Sequence, residues 1–437
     1  MNTFHLWTRI KRMPPGLALV CGFAAVILAG AGLLSLPAMH NEGVSVSFTD
    51  ALFTSTSAVC VTGLIAVDTA DTFTPVGCAI VALLIQIGGL GVTSVGVGFI
   101  LLARRRVGLK SRLLVKEALN LDSFRGAVSL VRKILLMTLC FEAVGAGLSY
   151  ISFSTRYEPL HALGISVFHS IAALNNAGFD ILGGLTNLIP FQSDVLLNLT
   201  TCGLIFFGGI GFLVILDMLK KRRFKALTLQ SKIVLVTSGV LIVSGMLLLK
   251  VTEANITWLG ALFQSVSART AGFSTFSIGS FSNAGLFALV ILMFIGASPG
   301  STGGGIKTST LFTLLQSVRG TMVGRRPGAF HRTLPGEAVG KAFTILLLSL
   351  SVVCAGTFTL CVLEPEYDFM KLLFETVSAF GTVGLSTGIT PALGDPGKLL
   401  LVLVMFVGRL GPLTIALLGA VSKEPGARYT EEAVTIG

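Results

Sequence analysis

Eight stretches of this chain are apolar and nearly free of charge: about 16–39, 76–103, 127–153, 195–217, 232–250, 284–317, 340–363 and 397–421. About 20 such residues in a helix cross ~30 Å of hydrocarbon. Composition agrees, with 53% hydrophobic and 12% charged residues and a mean hydropathy of +0.86. A soluble domain carries about 25% charged residues. The expectation is an all-α polytopic membrane protein with eight spans. Arg9, Lys11 and Arg12 precede the first run, which is too long for the core of a signal peptide and has no well-placed small-x-small cleavage site.

The net charge of +11 is unevenly spread. Basic residues gather at 103–112, at 220–225 and in 318–341 with Arg325, Arg326 and Arg332. The other connections, 40–75, 154–194, 252–283 and 364–398, hold four Lys/Arg (Arg156, Arg269, Lys371, Lys398) against thirteen Asp/Glu. This asymmetry places both termini in the cytoplasm. The acidic side then faces outward and concentrates cations. No basic face interleaved with aromatics is present, so nucleic acid is not an expected partner; the lipid bilayer is. The seven cysteines are odd in number and lack CxxC spacing, which indicates packing residues rather than disulfides or a zinc site. No HExxH, Ser/His/Asp or paired-carboxylate pattern occurs, and no enzyme activity is expected.

The acidic connections share a repeat: FTSTSAVCVTGL (53–64), FHSIAALNNAGF (168–179), FQSVSARTAGF (263–273) and FETVSAFGTVGL (374–385). Each opens with Phe, carries Ser or Thr two residues on, and closes on Gly63, Gly178, Gly272 or Gly384 followed by Leu or Phe. The third copy lacks one position. Internal repeats fix architecture. Here the unit is span, short segment, span, four times in parallel orientation. The short helical starts cannot cross the bilayer and read as re-entrant segments. Gly permits the φ > 0 that an extended return demands. Four such returns can form a ring of carbonyls that replaces a monovalent cation's hydration shell, with the negative helix ends aimed at the path. Ordinary loop helices with Gly caps would explain any one copy, but not four on the same side.

Residues 297–310 read ASPGSTGGGIKTST. The spelling is near a phosphate-binding loop, but Ile306 separates Gly305 from Lys307, and no strand precedes it as that motif requires. Clustered glycines break a helix, and broken backbone at membrane depth must line a cavity. A packing kink between close helices is the alternative.

The residues VCVTGL, NNAGF, RTAGF and GTVGL, with GSTGGGIK and the FVGRLGP of the last run, resemble the Trk/Ktr/HKT superfamily of potassium transporters. Eight spans and the closing RYTEEAVTIG are similar to its KtrB type rather than its longer TrkH type. The resemblance implies four channel-like repeats in pseudo-fourfold arrangement at 16–103, 127–217, 232–317 and 340–421, with a cytoplasmic N-terminus (1–15) and tail (422–437). It implies a K⁺ filter at Val61, Thr62, Gly63, Asn176, Ala177, Gly178, Thr270, Ala271, Gly272, Thr382, Val383 and Gly384. Members with Ser for the first filter glycine tend to conduct Na⁺; Gly63 favours K⁺. An intramembrane gate loop (298–307) is implied at Gly300, Ser301, Thr302, Gly303, Gly304, Gly305 and Lys307, with Arg409 as a barrier in the path. The implied setting is a homodimer in a bacterial inner membrane above a cytoplasmic KtrA-like RCK ring. That ring would bind the nucleotide and this chain none; Na⁺ activation stays open. A Na⁺-permeable member, and a secondary transporter using broken helices, are the competing readings. An ATP-driven pump would need a soluble catalytic domain, for which there is no room.

Other charged or polar residues carry weaker expectations. Arg409 is costly at its depth and should face the protein interior, as a barrier or as a brace for the broken helix. Lys307 could snorkel to the cytoplasmic side. Arg269 is expected to brace Thr270, His169 to be packed, and Glu375 and Asp180 to lie near the outer mouth.

Overall fold

The computed structural model describes residues 15–102, 108, 112–115, 126–417 and 432. Pro15 and Glu432 aside, the expected N-terminal segment 1–15 and tail 422–437 lie outside them. The described chain is four successions of long helix, short helix and interrupted helix. The first is α1 (Pro15–Leu34), α2 (Phe48–Cys60), then α3 (Pro75–Leu90) and α4 (Val92–Leu102) on either side of Gly91. The second is α5 (Ala127–Phe153), α6 (Pro159–Leu174), then α7 (Val195–Ile210) and α8 (Phe212–Lys221) about Gly211. The third is α9 (Leu229–Thr252), α10 (Trp258–Ser267), then α11 (Asn283–Phe294) and α12 (Thr308–Val323) across 295–307. The fourth is α13 (Gly336–Leu363), α14 (Phe369–Gly381), then α15 (Asp395–Leu410) and α16 (Pro412–Leu417) about Gly411. A hairpin of β1 (Gly328–Ala329) and β2 (Arg332–Thr333) folds the basic connection between the third and fourth.

Beyond the interruption expected at 298–307, three further second spans are broken, at Gly91, Gly211 and Gly411. Among the described residues, only α1, α5, α9 and α13 are unbroken helices long and apolar enough to cross a membrane. All four second spans are interrupted. Gly91, Gly211 and Gly411 take φ of +82°, +92° and +87° with extended ψ, a conformation in which a helix cannot continue. Pro412 also withholds the N–H that the next turn would need. Across Gly211 the two halves bend by 95°.

The same three-way contact joins the helices in each succession. The Ser two residues after the opening Phe donates to a carbonyl of the long helix: Ser55 to Ile27 (2.7 Å), Ser170 to Glu142 (2.7 Å) and Ser265 to Ile242 (2.8 Å). Three residues beyond each of those carbonyls stands a glycine, Gly30, Gly145 or Gly245. A Cβ there would strike the serine and a leucine of the second span (Leu84, Leu204 or Leu292). Gly356 meets Thr376 and Val404 in the same way. Small residues let these backbones approach where no water is present to drive association. The opening aromatics Phe53, Phe263 and Phe374 are wholly buried and Phe168 nearly so. Conversely, Leu136, Val144, Val240, Leu247, Leu347 and Phe358 on the long helices are exposed and apolar, as a lipid-facing surface requires.

Polar ties close the helix ends at the acidic connections. Glu253 accepts from the N–H and hydroxyl of Ser282 at the start of α11, and Glu364 from the N–H of Gly394 at the start of α15. A carboxylate at a helix N-terminus is favoured by the dipole. Lys398 of α15 pairs with Asp50 of α2 at 2.8 Å, joining the last succession to the first.

Candidate functional site

The short helices all end in one way. After α2, α6 and α14 the chain turns left-handed at Val61, Asn176 and Thr382, with φ of +57°, +57° and +49°. The N–H of each turning residue bonds three residues back, and the next N–H bonds five back: Thr62 to Ser57 (2.8 Å), Ala177 to Ala172 (2.7 Å) and Val383 to Ser378 (2.9 Å). This is the Schellman closure, usually made at glycine. In the shortened third copy Thr270 turns at φ +71°, and Ala271 and Gly272 both bond to the Ser267 carbonyl. Left-handed φ is an outlier for β-branched Val61, Thr270 and Thr382 and costs about 1–3 kcal/mol at each. Strain repeated at matching positions points to function. Ser57 and Ser378 offset part of it by accepting from the N–H of Gly63 (3.0 Å) and Gly384 (3.1 Å).

The four closing glycines then meet in a cycle. A Cβ on Gly63 would strike the Ala177 carbonyl oxygen and Gly178, and one on Gly178 the Ala271 oxygen and Gly272. A Cβ on Gly272 would strike the Val383 oxygen and Gly384, and one on Gly384 the Thr62 oxygen and Gly63. All four glycines have positive φ, between +69° and +95°. The structure thus brings together the twelve residues Val61–Gly63, Asn176–Gly178, Thr270–Gly272 and Thr382–Gly384, and the non-glycine members have no solvent exposure. A cavity of about 180 Å³ opens on the glycines, lined also by Asp180, Asn187, Ser274 and Ser386.

The 295–307 segment lies against the turning residues, away from that cavity. Gly304 N–H donates to Thr382 Oγ1 at 2.9 Å, and Gly303 abuts Thr270 so closely that a Cβ would collide. The segment is zipped to the broken second succession: Phe212 N–H to Gly300 O (3.1 Å) and Ser298 N–H to Gly209 O (3.0 Å). Lys307 Nζ turns back to the carbonyls of Gly303 (2.6 Å) and Gly304 (3.3 Å) rather than snorkelling. The Arg409 guanidinium donates to the carbonyls of Thr302 and Gly88. A helix, not a strand, precedes the segment, so a phosphate cradle has no support.

Three further side chains expected near the returns have defined partners. The Arg269 guanidinium turns to α9, where it bonds the hydroxyl of Ser238 at 3.2 Å. His169 is packed, as expected, between Phe153 and Phe273 with Nε2 at 2.9 Å from Thr201. Glu375 is no free outer carboxylate. It is wholly buried and accepts from Ser386 Oγ (2.8 Å), Thr387 N–H (2.8 Å) and Oγ1 (3.0 Å), and Thr390 Oγ1 (2.7 Å), which fixes the chain leaving Gly384. Gln264, at the same place in the third copy, holds Ser274 at 3.0 Å.

The breaks at Gly91, Gly211 and Gly411 escaped the sequence reading. Their signal is a second repeat, GGLG (88–91), GGIG (208–211) and GRLG (408–411). A Cβ on Gly88, Gly208 or Gly408 would collide with the carbonyl of Val59, Leu174 or Phe380, four residues before a closing glycine. Arg409 therefore stands where two other copies have Gly89 and Gly209.

Long apolar helices, strained returns and interrupted spans define a multi-pass membrane protein whose four returns meet at their closing glycines. The family described as "TrkH: Cation transport protein" matches residues 23–430. The chain is 38% identical to Ktr system potassium uptake protein B of Bacillus subtilis over 98% of this chain and 97% of the relative. It is 37% identical to potassium/sodium uptake protein NtpJ of Enterococcus hirae, covering 98% of each. The crystal structure of the potassium transporter TrkH from Vibrio parahaemolyticus superposes with a TM-score of 0.75 over 94% of this chain and 86% of that one, at 18% identity. This chain belongs to the TrkH family of cation transport proteins.

Proposed function

We propose that the chain is the membrane subunit of a Ktr-type K⁺ uptake system, conducting K⁺ through four re-entrant segments in pseudo-fourfold arrangement. The observation that carries this reading is the cycle Gly63–Gly178–Gly272–Gly384, in which each glycine lies against the carbonyl preceding the next. Such carbonyls can replace the hydration shell of a dehydrated K⁺. Val61 to Gly384, as grouped above, form the filter. Residues 298–307 form the gate, because they lie against Thr270 and Thr382 on the side of the returns away from the cavity. Arg409 adds a fixed positive charge that raises the barrier to a cation. Both termini lie in the cytoplasm of a bacterial cell, and the functional unit is a homodimer above a KtrA-like RCK ring that supplies nucleotide control.

A Na⁺-permeable variant is the second reading, favoured by one relative's name, potassium/sodium uptake protein. Cation flux in liposomes containing only this chain, under K⁺ and Na⁺ gradients, separates the two. The expected result is K⁺ flux well above Na⁺ flux, increased when residues 300–305 are deleted. Equal fluxes would support the second reading. No flux from either the intact or the shortened folded chain would overturn the first.

A further inference from the structure

We infer that Glu142 and Gln86 are positioning residues for the filter: through the amide of Asn175 they fix the left-handed turn of the second return, and so the place of the Ala177 carbonyl. This deepens the transport reading and rests on it. Asn175 ends α6 and directly precedes Asn176, which turns at φ +57°. It is wholly buried. Its Nδ2 donates to Gln86 Oε1 of α3 (2.8 Å), to the Ile171 carbonyl of its own helix (2.9 Å) and to Glu142 Oε1 of α5 (3.4 Å). An amide nitrogen carries two N–H groups, so of three acceptors one must stand at longer range, and that one is Glu142.

Glu142 is the sixteenth of the 27 residues of α5, a depth at which a carboxyl is costly and needs polar partners inside the bundle. It is buried, and no Lys or Arg pairs with it among the described residues. The serine contacts show what this place otherwise holds. The carbonyl met by Ser55 belongs to Ile27 and that met by Ser265 to Ile242, whereas Ser170 meets that of Glu142. An isoleucine serves the packing in two copies; the carboxyl stands in the copy where Asn175 reaches it. The third copy braces the matching place differently, with Arg269, which precedes Thr270, bonded to Ser238 of α9. Cys60 and Gly381, which precede the turns of the first and fourth copies, carry neither an amide nor a guanidinium.

The bracket also crosses from one copy to the next. Gln86 and Gly63 both belong to the first succession, and the Ala177 oxygen is the atom that a Cβ on Gly63 would strike. The Gln86–Asn175 bond thus ties the second return to the succession whose glycine its carbonyl faces. Gly89, three residues beyond Gln86, leaves the space for it: a Cβ there would strike Asn175 Oδ1 and Cγ. The N–H groups of Asn176 and Ala177 bond back to Ala173 (3.1 Å) and Ala172 (2.7 Å). A shift of Asn175 therefore carries the turn and the Ala177 oxygen with it.

The test measures K⁺ and Na⁺ influx side by side in liposomes holding the full chain, together with the melting temperature of each variant in detergent. Glu142→Ile installs the residue that α1 and α9 carry at this place, and Gln86→Leu removes the other side-chain acceptor. Each is expected to lower the K⁺/Na⁺ flux ratio about three- to tenfold, the size of one hydrogen bond. Asn175→Ala should show the same loss, and adding Glu142→Ile to it should lower the ratio no further, because the effect passes through that amide. Glu142→Gln keeps a carbonyl acceptor and should recover most of the parental ratio. A parental ratio in Glu142→Ile or, should that variant not fold, in Gln86→Leu would overturn the inference while leaving K⁺ transport standing, even if the melting temperature fell. Additive losses in the double variant would overturn it too. Absence of influx in the intact and loop-shortened chains would remove the transport reading itself, and this inference with it.

Discussion

At the scale of single residues, glycine is required for two separate reasons in the same ring. Gly63 needs both its φ of +93° and the missing Cβ, because any side chain would push into the Ala177 carbonyl. Gly63→Ser is expected to displace that oxygen and lower K⁺/Na⁺ discrimination at least about tenfold, roughly 1.4 kcal/mol; the flux ratio in liposomes reads it. An unchanged ratio would mean that the carbonyl does not line the path. Glu375 acts one step behind. Glu375→Ala strands four donors, each worth about 1–3 kcal/mol when left buried and unpaired. The variant should unfold at clearly lower temperature in detergent than the parent, while Glu375→Gln recovers part of the loss. Equal melting of parent and alanine variant would show that the bracket carries no stability.

At the scale of elements, the broken helices matter more than the continuous ones. Gly211 has φ +92°, and a Cβ there would approach the Pro299 carbonyl to 2.7 Å, so the second break and the 295–307 segment are one structural unit. Gly211→Ala should therefore loosen that segment and raise K⁺ flux several-fold without altering selectivity; a lower flux would indicate that the two move independently. The sequence made the ring legible because its strain is local and spelled four times. Its φ > 0 positions fall at Val61, Asn176, Thr270 and Thr382, however, not only at glycines, and no propensity signals a left-handed valine. The three single-glycine breaks were hidden because one glycine in an apolar helix is ordinarily tolerated at about 1 kcal/mol. What makes Gly91, Gly211 and Gly411 breaks is the tertiary contact of the residue three before each with a short helix. Glu375 stands behind Ser386 and Thr387 of the cavity wall, and its burial is not legible in sequence because an acidic residue in a connection looks solvated until the returning chain covers it.

At the scale of the whole molecule, the four successions share one core, with α2 packed on α15, α11 on α14 and α7 on α10 across their boundaries. Lys398–Asp50 is the ion pair, among the described residues, that joins the last succession to the first, with both side chains mostly buried. Removing one partner of such a pair leaves an uncompensated charge and costs about 3–5 kcal/mol. Lys398→Met should lower the melting temperature measurably, and the double variant with Asp50→Leu should regain much of the loss. No coupling between the two changes would show that other contacts carry the closure.

A channel assembled from four identical chains must accept every substitution four times over. Here the copies are joined in one polypeptide, and GGLG, GGIG and GRLG have drifted apart. Four arginines at that place would repel one another; one can settle on the carbonyls of Thr302 and Gly88. Because the copies share one polypeptide, a single arginine can tie the 295–307 segment to α3 while Gly89 and Gly209 keep the matching places small.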